Sequence, residues 1–374
     1  MKLLSDGPQR ADRDVLGRKR QMDLGDDKLR THDRPTSFDI AYRAGVSQST
    51  VSRALRGDPN VNEDTRRRIE AVARELRYKV DKSASNLRSQ HSNTIAVLFF
   101  EDPSPDLSLI NPFFLAMVGS ITRACAKHNY DLLISFQKFA QDWNEDYEGS
   151  GKADGLILLG YGDFVTYRER LGKLVEQGTR FVRWGGAAQS DQPGLSVSSD
   201  NYQGGRDATD HLVGLGRRRI AFLGGCSSHY PEFAERFRGY RDALAAAGLA
   251  PLDDLQVDAI SSEQSGADAA RELIERHERF DAIVAASDLI AIGALHTVQE
   301  AGLDVPHDVS IVGFDDLPAA SLVNPPLTTV SQDTWSAGDK LVDVLLRLVR
   351  GEPAESLVLA SKLIVRRSTA KASV

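Results

Sequence analysis

The stretch Thr36-Ser-Phe-Asp39-Ile40-Ala41-Tyr42-Arg43-Ala44-Gly45-Val46-Ser47-Gln48-Ser49-Thr50-Val51-Ser52-Arg53-Ala54-Leu55 reads as two short helices with a glycine turn between them. Thr36 can cap the first helix, and Asp39 at its N3 position complements the positive helix end. Gly45 stands where a left-handed residue ends that helix. Ser47 then caps a second. Ile40, Val46, Val51 and Leu55 supply apolar faces for a small core. A third helix follows, capped by Asn62, with Ile69, Val72, Ala73 and Leu76 as its buried stripe and Arg66, Arg67 and Arg68 at its start.

The second helix presents Gln48, Ser49 and Arg53 outward near its start. A recognition helix places such N-terminal residues on base edges in the major groove. Arginine reads guanine with two hydrogen bonds and glutamine reads adenine. Charge agrees with this reading. Residues 1–35 carry nine Lys/Arg against seven Asp/Glu, residues 36–92 eleven against seven, and residues 93–374 twenty-six against thirty-nine. The net values are thus +2, +4 and −13 within the total of −7. An acidic body is repelled by a polyanion, so contact with nucleic acid falls to the basic head.

Residues 1–35 are expected to be a disordered or start-site extension, since Met22 could also initiate. The helical domain spans 36–79, a polar hinge 80–92, and a tail 369–374. From residue 93 the texture becomes an alternation of β-rich runs and amphipathic stretches. The runs are Thr94–Phe100, Tyr130–Ser135, Ala153–Leu159, Arg180–Trp184, Leu195–Ser198, Arg219–Gly224, Asp254–Asp258, Asp281–Ala285 and Val309–Phe314, with a last strand at Leu357–Arg366. Strands separated by helices of this length predict βαβ units and parallel sheets, and the wholly apolar runs fit strands covered on both faces. The predicted fold is therefore a small all-α helix-turn-helix domain followed by an α/β core of two doubly wound parallel-sheet lobes. Each lobe has about five strands. The N-lobe takes about 93–195 and 332–354, the C-lobe about 196–331 and 355–368. A ligand cleft is expected between them, at the carboxyl ends of the strands.

Other classes find little support. An apolar run such as Ile95–Phe100, which no other exceeds in length, is far short of the ~20 residues of a membrane helix. With no apolar leader near Met1, the chain is expected to stay in the cytoplasm, associated with the nucleoid. Two cysteines about 100 residues apart, Cys125 and Cys226, make neither a zinc site nor a disulfide framework. No phosphate-binding loop, zincin or nucleophile-elbow motif occurs, and Gly160-Tyr-Gly162 lacks the third glycine of a dinucleotide fingerprint. No enzyme, cofactor or metal is implied. A solute-binding protein without a DNA role is the competing class, and the helical head argues against it.

The head resembles that of the lactose repressor family of bacterial transcription regulators. The core carries similar signatures at Asp200-Asn201, Glu235-Arg236-Phe-Arg-Gly239-Tyr240, Ser287-Asp288-Leu-Ile-Ala-Ile-Gly293, Gly302–Asp316 and Pro326–Val330. The resemblance covers about residues 36–368. It implies a periplasmic-binding-protein-like sensor core, a homodimer on a pseudopalindromic operator, and a small effector, a sugar by expectation, that changes operator affinity. Release of DNA by the effector is the expected direction. A purine or sugar acid is the alternative effector.

The resemblance also assigns roles. Thr36, Gln48, Ser49, Thr50 and Arg53 contact DNA, Thr50 at a phosphate. Leu87 wedges into the minor groove from a hinge that becomes helical on DNA. This chain departs from the family there, with Val80-Asp81 in place of Pro-Asn and Ser85 in place of a frequent Arg. Arg236 and Asp315 face the cleft, where forked donors and a carboxylate suit vicinal hydroxyls. Ser287 and Asp288 line its mouth. Phe113 and Phe114 match an aromatic position covering the ligand, and Trp184 could stack on a sugar ring, though core packing explains Phe113 and Trp184 equally well. Arg183 stands where purine-binding relatives carry an Asp, which favours a sugar or sugar acid over a purine. The family's tetramer-forming leucine heptads have no counterpart in this sequence, so a dimer is preferred.

Overall fold

The computed structural model describes residues 35–78, 91–100, 110–137, 142–160, 164–186 and 192–372. The chain divides between Lys82 and Ser83 into two compact units.

The first unit holds α1 (Ser37–Ala44), α2 (Gln48–Leu55) and α3 (Glu63–Glu75). Local chemistry sets their limits. The Asp39 carboxylate accepts from both the backbone N–H and the hydroxyl of Thr36, each at 2.8 Å, which stitches the start of α1. Gly45, at φ 64°, ends that helix, a conformation other residues adopt at a cost. Ser47 Oγ accepts from the Thr50 N–H to begin α2, and Asn62 does the same for Asp64 at α3. Ile40, Ala44, Val51, Ala54, Ile69 and Ala73 close a small core.

The second unit has two sheets. The first contains β1 (Thr94–Phe100), β2 (Asp131–Gln137), β3 (Gly155–Leu159), β4 (Phe181–Trp184), β5 (Leu195–Ser199) and β11 (Leu357–Leu359) in the order β11-β5-β4-β3-β1-β2. All of its pairings are parallel. The second contains β6 (Ile220–Leu223), β7 (Gln256–Val257), β8 (Ala282–Ala285), β9 (Ser310–Asp315), β10 (Thr328–Gln332) and β12 (Ser361–Ile364) in the order β12-β10-β9-β8-β6-β7. Here only β12 runs antiparallel, along β10. The helices are α4 (Pro112–Lys127), α5 (Phe164–Glu176), α6 (Asn201–Gly214), α7 (Pro231–Ala246), α8 (Glu263–Glu275), α9 (Asp288–Glu300) and α10 (Thr334–Val349).

The chain crosses between the lobes three times: after β5, after β10, and between β11 and β12. α10 follows β10 out of the second sheet, and its stripe Ala337, Leu341, Val342, Leu345 enters the first-lobe core.

The sequence reading falls short in three places. Each sheet has six strands rather than about five. Thr328–Gln332 is a strand that its polar residues concealed. The single strand expected over Leu357–Arg366 is two, broken at Ala360, one in each sheet. β5 lies wholly in the first sheet, with β11 beside it. Residues 369–372 of the tail are docked on the second lobe. The buried Arg217 guanidinium donates to the carbonyls of Ala370, Pro306, His307, Asp308 and Asp281, and the Ala372 N–H bonds Leu215 O.

Candidate functional site

Two separate sets of residues emerge, one in each unit. In the first unit, Ser49 and Arg53 are exposed one turn apart on α2, and Gln48 and Thr50 are half-buried beside them. A cluster of hydroxyls organises the start of the helix: Ser47 Oγ lies 2.9 Å from Ser49 Oγ and 2.8 Å from Thr50 Oγ1. Gln48 Nε2 donates to Ser37 Oγ on α1 at 3.2 Å. The polar start of α2 is thus held on α1, with Thr36 exposed at the end of that same helix. Phe38 and Tyr42, four apart on α1, are 70% and 90% exposed; the sequence reading passed over this bare apolar pair. Leu87 and nearly all of the hinge lie outside the described residues.

In the second unit, residues at the carboxyl ends of the strands gather where the lobes meet. Asn111 caps α4 by accepting from the Phe113 N–H, and its Nδ2 donates across the lobes to Ser261 Oγ at 3.1 Å. Ser261 in turn donates to Ser287 Oγ at 3.0 Å, and Ser287 caps α9. From the second lobe, Leu317 and Leu289 pack on the cluster that holds Phe113, Phe114 and Trp184.

At the centre lie Arg236 on α7 and Asp315 at the end of β9. Their side chains are 1% and 0% exposed, with Nη1 and Oδ1 3.9 Å apart. Arg236 Nε donates to Asn201 Oδ1 at 2.9 Å and Nη1 to the Ala286 carbonyl, while the guanidinium lies 3.7 Å over the Phe314 ring. Asp315 Oδ1 accepts from Gln332 Nε2 at 2.6 Å. Among the described residues, the buried atoms Ser199 Oγ, Arg236 Nη2 and Asp315 Oδ2 have no hydrogen-bond partner. Such atoms are costly to bury unless something completes them. Asp315 also holds φ at 117°, a strained setting for a residue with a Cβ. Burial pushes its carboxyl up to about 7, against the pull of Arg236 and the Gln332 hydrogen bond.

The other expected cleft residues divide. Phe113 and Trp184 are buried against each other, ring centroids 5.8 Å apart, and Phe114 meets Phe113 edge-on. Core packing accounts for these contacts. Asp288, expected at the mouth of the cleft, is fully buried, with Oδ2 accepting from the Leu317 N–H at 2.7 Å and Oδ1 from Thr329 Oγ1 at 2.5 Å. Its carboxylate is a brace for the turn after β9. Burial, with the charge of Asp315 added, raises its carboxyl well above the usual range. Arg183 is buried too, donating to the carbonyls of Gly185 at 2.6 Å and Pro193 at 3.4 Å; burial lowers its pKa, opposed by Glu232.

Asn201, Gln332, Ser199, Asn111, Ser261 and Glu232 were missed as site residues. Asn201 lay inside a motif already singled out. Asn111, before Pro112, had the signature of a helix cap. Gln332 and Ser261 carry no local signal, because only the fold brings them near Asp315 and Ser287.

A model of bacterial regulatory proteins of the lacI family matches residues 38–81. A periplasmic binding protein-like domain matches residues 209–369. The HTH-type transcriptional regulator CelR of Thermobifida fusca is 32% identical over 340 residues, covering 90% of this chain and 98% of CelR. The ribose operon repressor of Escherichia coli K12 is 31% identical over 317 residues, covering 84% and 93%. Among solved structures, a lac repressor dimer bound to operator and the anti-inducer ONPF aligns with a TM-score of 0.79 at 26% identity, covering 90% of this chain and all of that one. A CelR–cellobiose complex aligns at 0.67 with 31% identity and the same coverage. Two helices with a capped, polar-faced second member, two six-stranded lobes and these relatives agree: the chain belongs to the lacI family of bacterial regulatory proteins and is a DNA-binding transcription regulator.

Proposed function

We propose that the chain is a repressor of carbohydrate-utilisation genes whose operator affinity is lowered by a small sugar bound between the lobes. The observation that carries this reading is the pair of unpartnered buried atoms, Arg236 Nη2 and Asp315 Oδ2. One is a donor and the other an acceptor, on side chains already fixed by Asn201, Ala286 and Gln332. A vicinal diol offers both an acceptor and a donor, and its hydroxyls meet charged partners, which form the stronger hydrogen bonds. The CelR complex with cellobiose supports a sugar as the class.

In this reading Gln48, Ser49 and Arg53 read base edges, while Thr36 and Thr50 hold phosphates. Leu87 wedges the operator centre. Ser287, with Phe113, Phe114 and Trp184 behind it, shapes the sugar pocket. Arg183 sets its edge. The chain acts as a homodimer in the cytoplasm, matching a two-fold operator. Sugar and operator are coupled by linkage: a ligand that prefers one arrangement of the lobes shifts the equilibrium that DNA also biases.

The test is a thermal-shift screen of the purified chain against sugars, sugar acids and purines. A binder at 100-fold excess over its Kd adds about 2.7 kcal/mol. A sugar that raises Tm in the wild type but not in Asp315→Asn supports the reading. A purine hit that survives Asp315→Asn overturns it.

A further inference from the structure

The corner after β4 holds two consecutive glycines at positive φ, Gly185 at 87° and Gly186 at 103°. One peptide unit joins them, and charged side chains grip both of its polar atoms. Arg183 Nη1 donates to the Gly185 carbonyl at 2.6 Å. The Gly186 N–H donates to Glu232 Oε1, also at 2.6 Å. Arg183 belongs to the first lobe and Glu232 to α7 of the second. A peptide dipole set between a cation and an anion is polarised by both, and each contact is a charge-assisted hydrogen bond. A Cβ on Gly185 would strike the Glu232 carboxylate, and one on Gly186 would strike the Arg183 guanidinium. The positive φ favours glycine at both positions, and a side chain at either would have to push one of the two gripping groups aside.

Glu232 lies in the first turn of α7, and Arg236 follows it by four residues on the same helix face. One helix therefore carries both the grip on the first lobe and the guanidinium that meets Asp315. We propose that Glu232 is a positioning residue that latches the lobes together through the Gly185–Gly186 peptide and so sets the balance of open and closed core before any effector binds. Its link to effector affinity rests on the sugar-site reading of Arg236 and Asp315. A latch that fills the closed state removes part of the conformational penalty on binding, since the apparent Kd is the intrinsic Kd divided by the competent fraction.

The test uses the full chain without effector. Amide exchange read by mass spectrometry on peptides spanning Gly185–Gly186 reports the latch bond. Pulsed electron resonance between spin labels at Val175 and Leu252, both exposed, reports the lobe distance in a Cys226→Ser background, with labelled chains diluted by unlabelled ones. Glu232→Ala should raise exchange at Gly186 at least tenfold and lengthen or broaden the distance distribution, while exchange in β3 and β8 stays at the wild-type level. Glu232→Gln keeps an oxygen that can accept from Gly186 and should fall between, which also serves if the alanine variant folds poorly. A Gly186 amide that already exchanges freely in the wild type, or a lobe distance unmoved in both variants, overturns the latch. Because neither readout involves a sugar, that failure leaves the Arg236–Asp315 reading to its own test.

Discussion

The two units build their working surfaces in opposite ways. The helical unit presents exposed polar side chains on α2, fixed by neighbours within a few residues: Ser47 holds Ser49 and Thr50, and Asp39 holds Thr36. The core unit hides its charges. Arg236 and Asp315 are brought together from far apart in the chain, with Asn201 and Gln332 completing them. Exposed groups are solvated before DNA arrives, so changing one should alter affinity and leave the fold intact. Buried groups hold the fold and, in the proposed reading, the ligand as well, so changing one should be felt in both. The difference teaches that the same residue type, an arginine, stands exposed on a helix in one unit, as Arg53, and locked in a buried network in the other, as Arg236.

The largest expected effect comes from Arg236→Ala. It strands the Asp315 carboxylate and the Asn201 and Ala286 oxygens in a dry site, and breaking a buried charge pair costs about 3–5 kcal/mol. Urea unfolding of the core should show that loss. A value below about 1 kcal/mol would mean water enters the site freely and the contrast with the head is false.

The pH dependence follows next. Asp315 titrates near 7 in the folded chain, above the ~3.9 of an unfolded aspartate. A raised pKa means the folded state binds the proton more tightly. The stability this gives is full below about pH 4, falls as pH rises, and is gone above about pH 7. Asp315→Asn should therefore gain stability relative to wild type as pH rises from 5 to 8 in thermal melts. Asp288 is raised as well, in part by the Asp315 charge, so the wild-type profile alone declines in the same direction, and the comparison with the variant reports Asp315 together with its coupling to Asp288. A flat difference would contradict a buried, neutral-leaning carboxyl.

Arg53→Ala sharpens the other side of the comparison. It should cost about 1–3 kcal/mol of operator binding, concentrated at one base pair, with core stability unchanged. A loss spread evenly over all sequences would make Arg53 a phosphate contact. The smallest effect is Ser47→Ala, which removes the cap of α2 and should destabilise the head by about 1 kcal/mol, measurable as a lower melting point of the head alone.

The same contrast explains what could be read from the sequence. The head was legible because its logic is local. Caps at Thr36, Ser47 and Asn62 and the turn at Gly45 are written within a few residues of what they fix. The βαβ texture of the core was legible for a similar reason, through apolar runs such as Ile95–Phe100. The site in the core was only half legible. Arg236, Asp315 and Asp288 came through family motifs, but the bracing contacts of Asp288 did not. A carboxylate at a strand end looks the same whether it faces a cleft or braces a turn, and only the positions of Leu317 and Thr329 decide. Strand β10 was lost to its polar side chains, and the split of Leu357–Arg366 depends on which sheet each half can reach.

The central claim is that one small molecule at Arg236 and Asp315 governs DNA binding by the separate head. Operator affinity should be measured by fluorescence anisotropy at fixed salt, since phosphate contacts make it salt-dependent, with and without the sugar identified by thermal shift, for wild type and Asp315→Asn. The account predicts at least tenfold weaker operator binding for wild type with sugar and no change for the variant. Equal weakening in both, or none in the wild type while the sugar is bound, would contradict it.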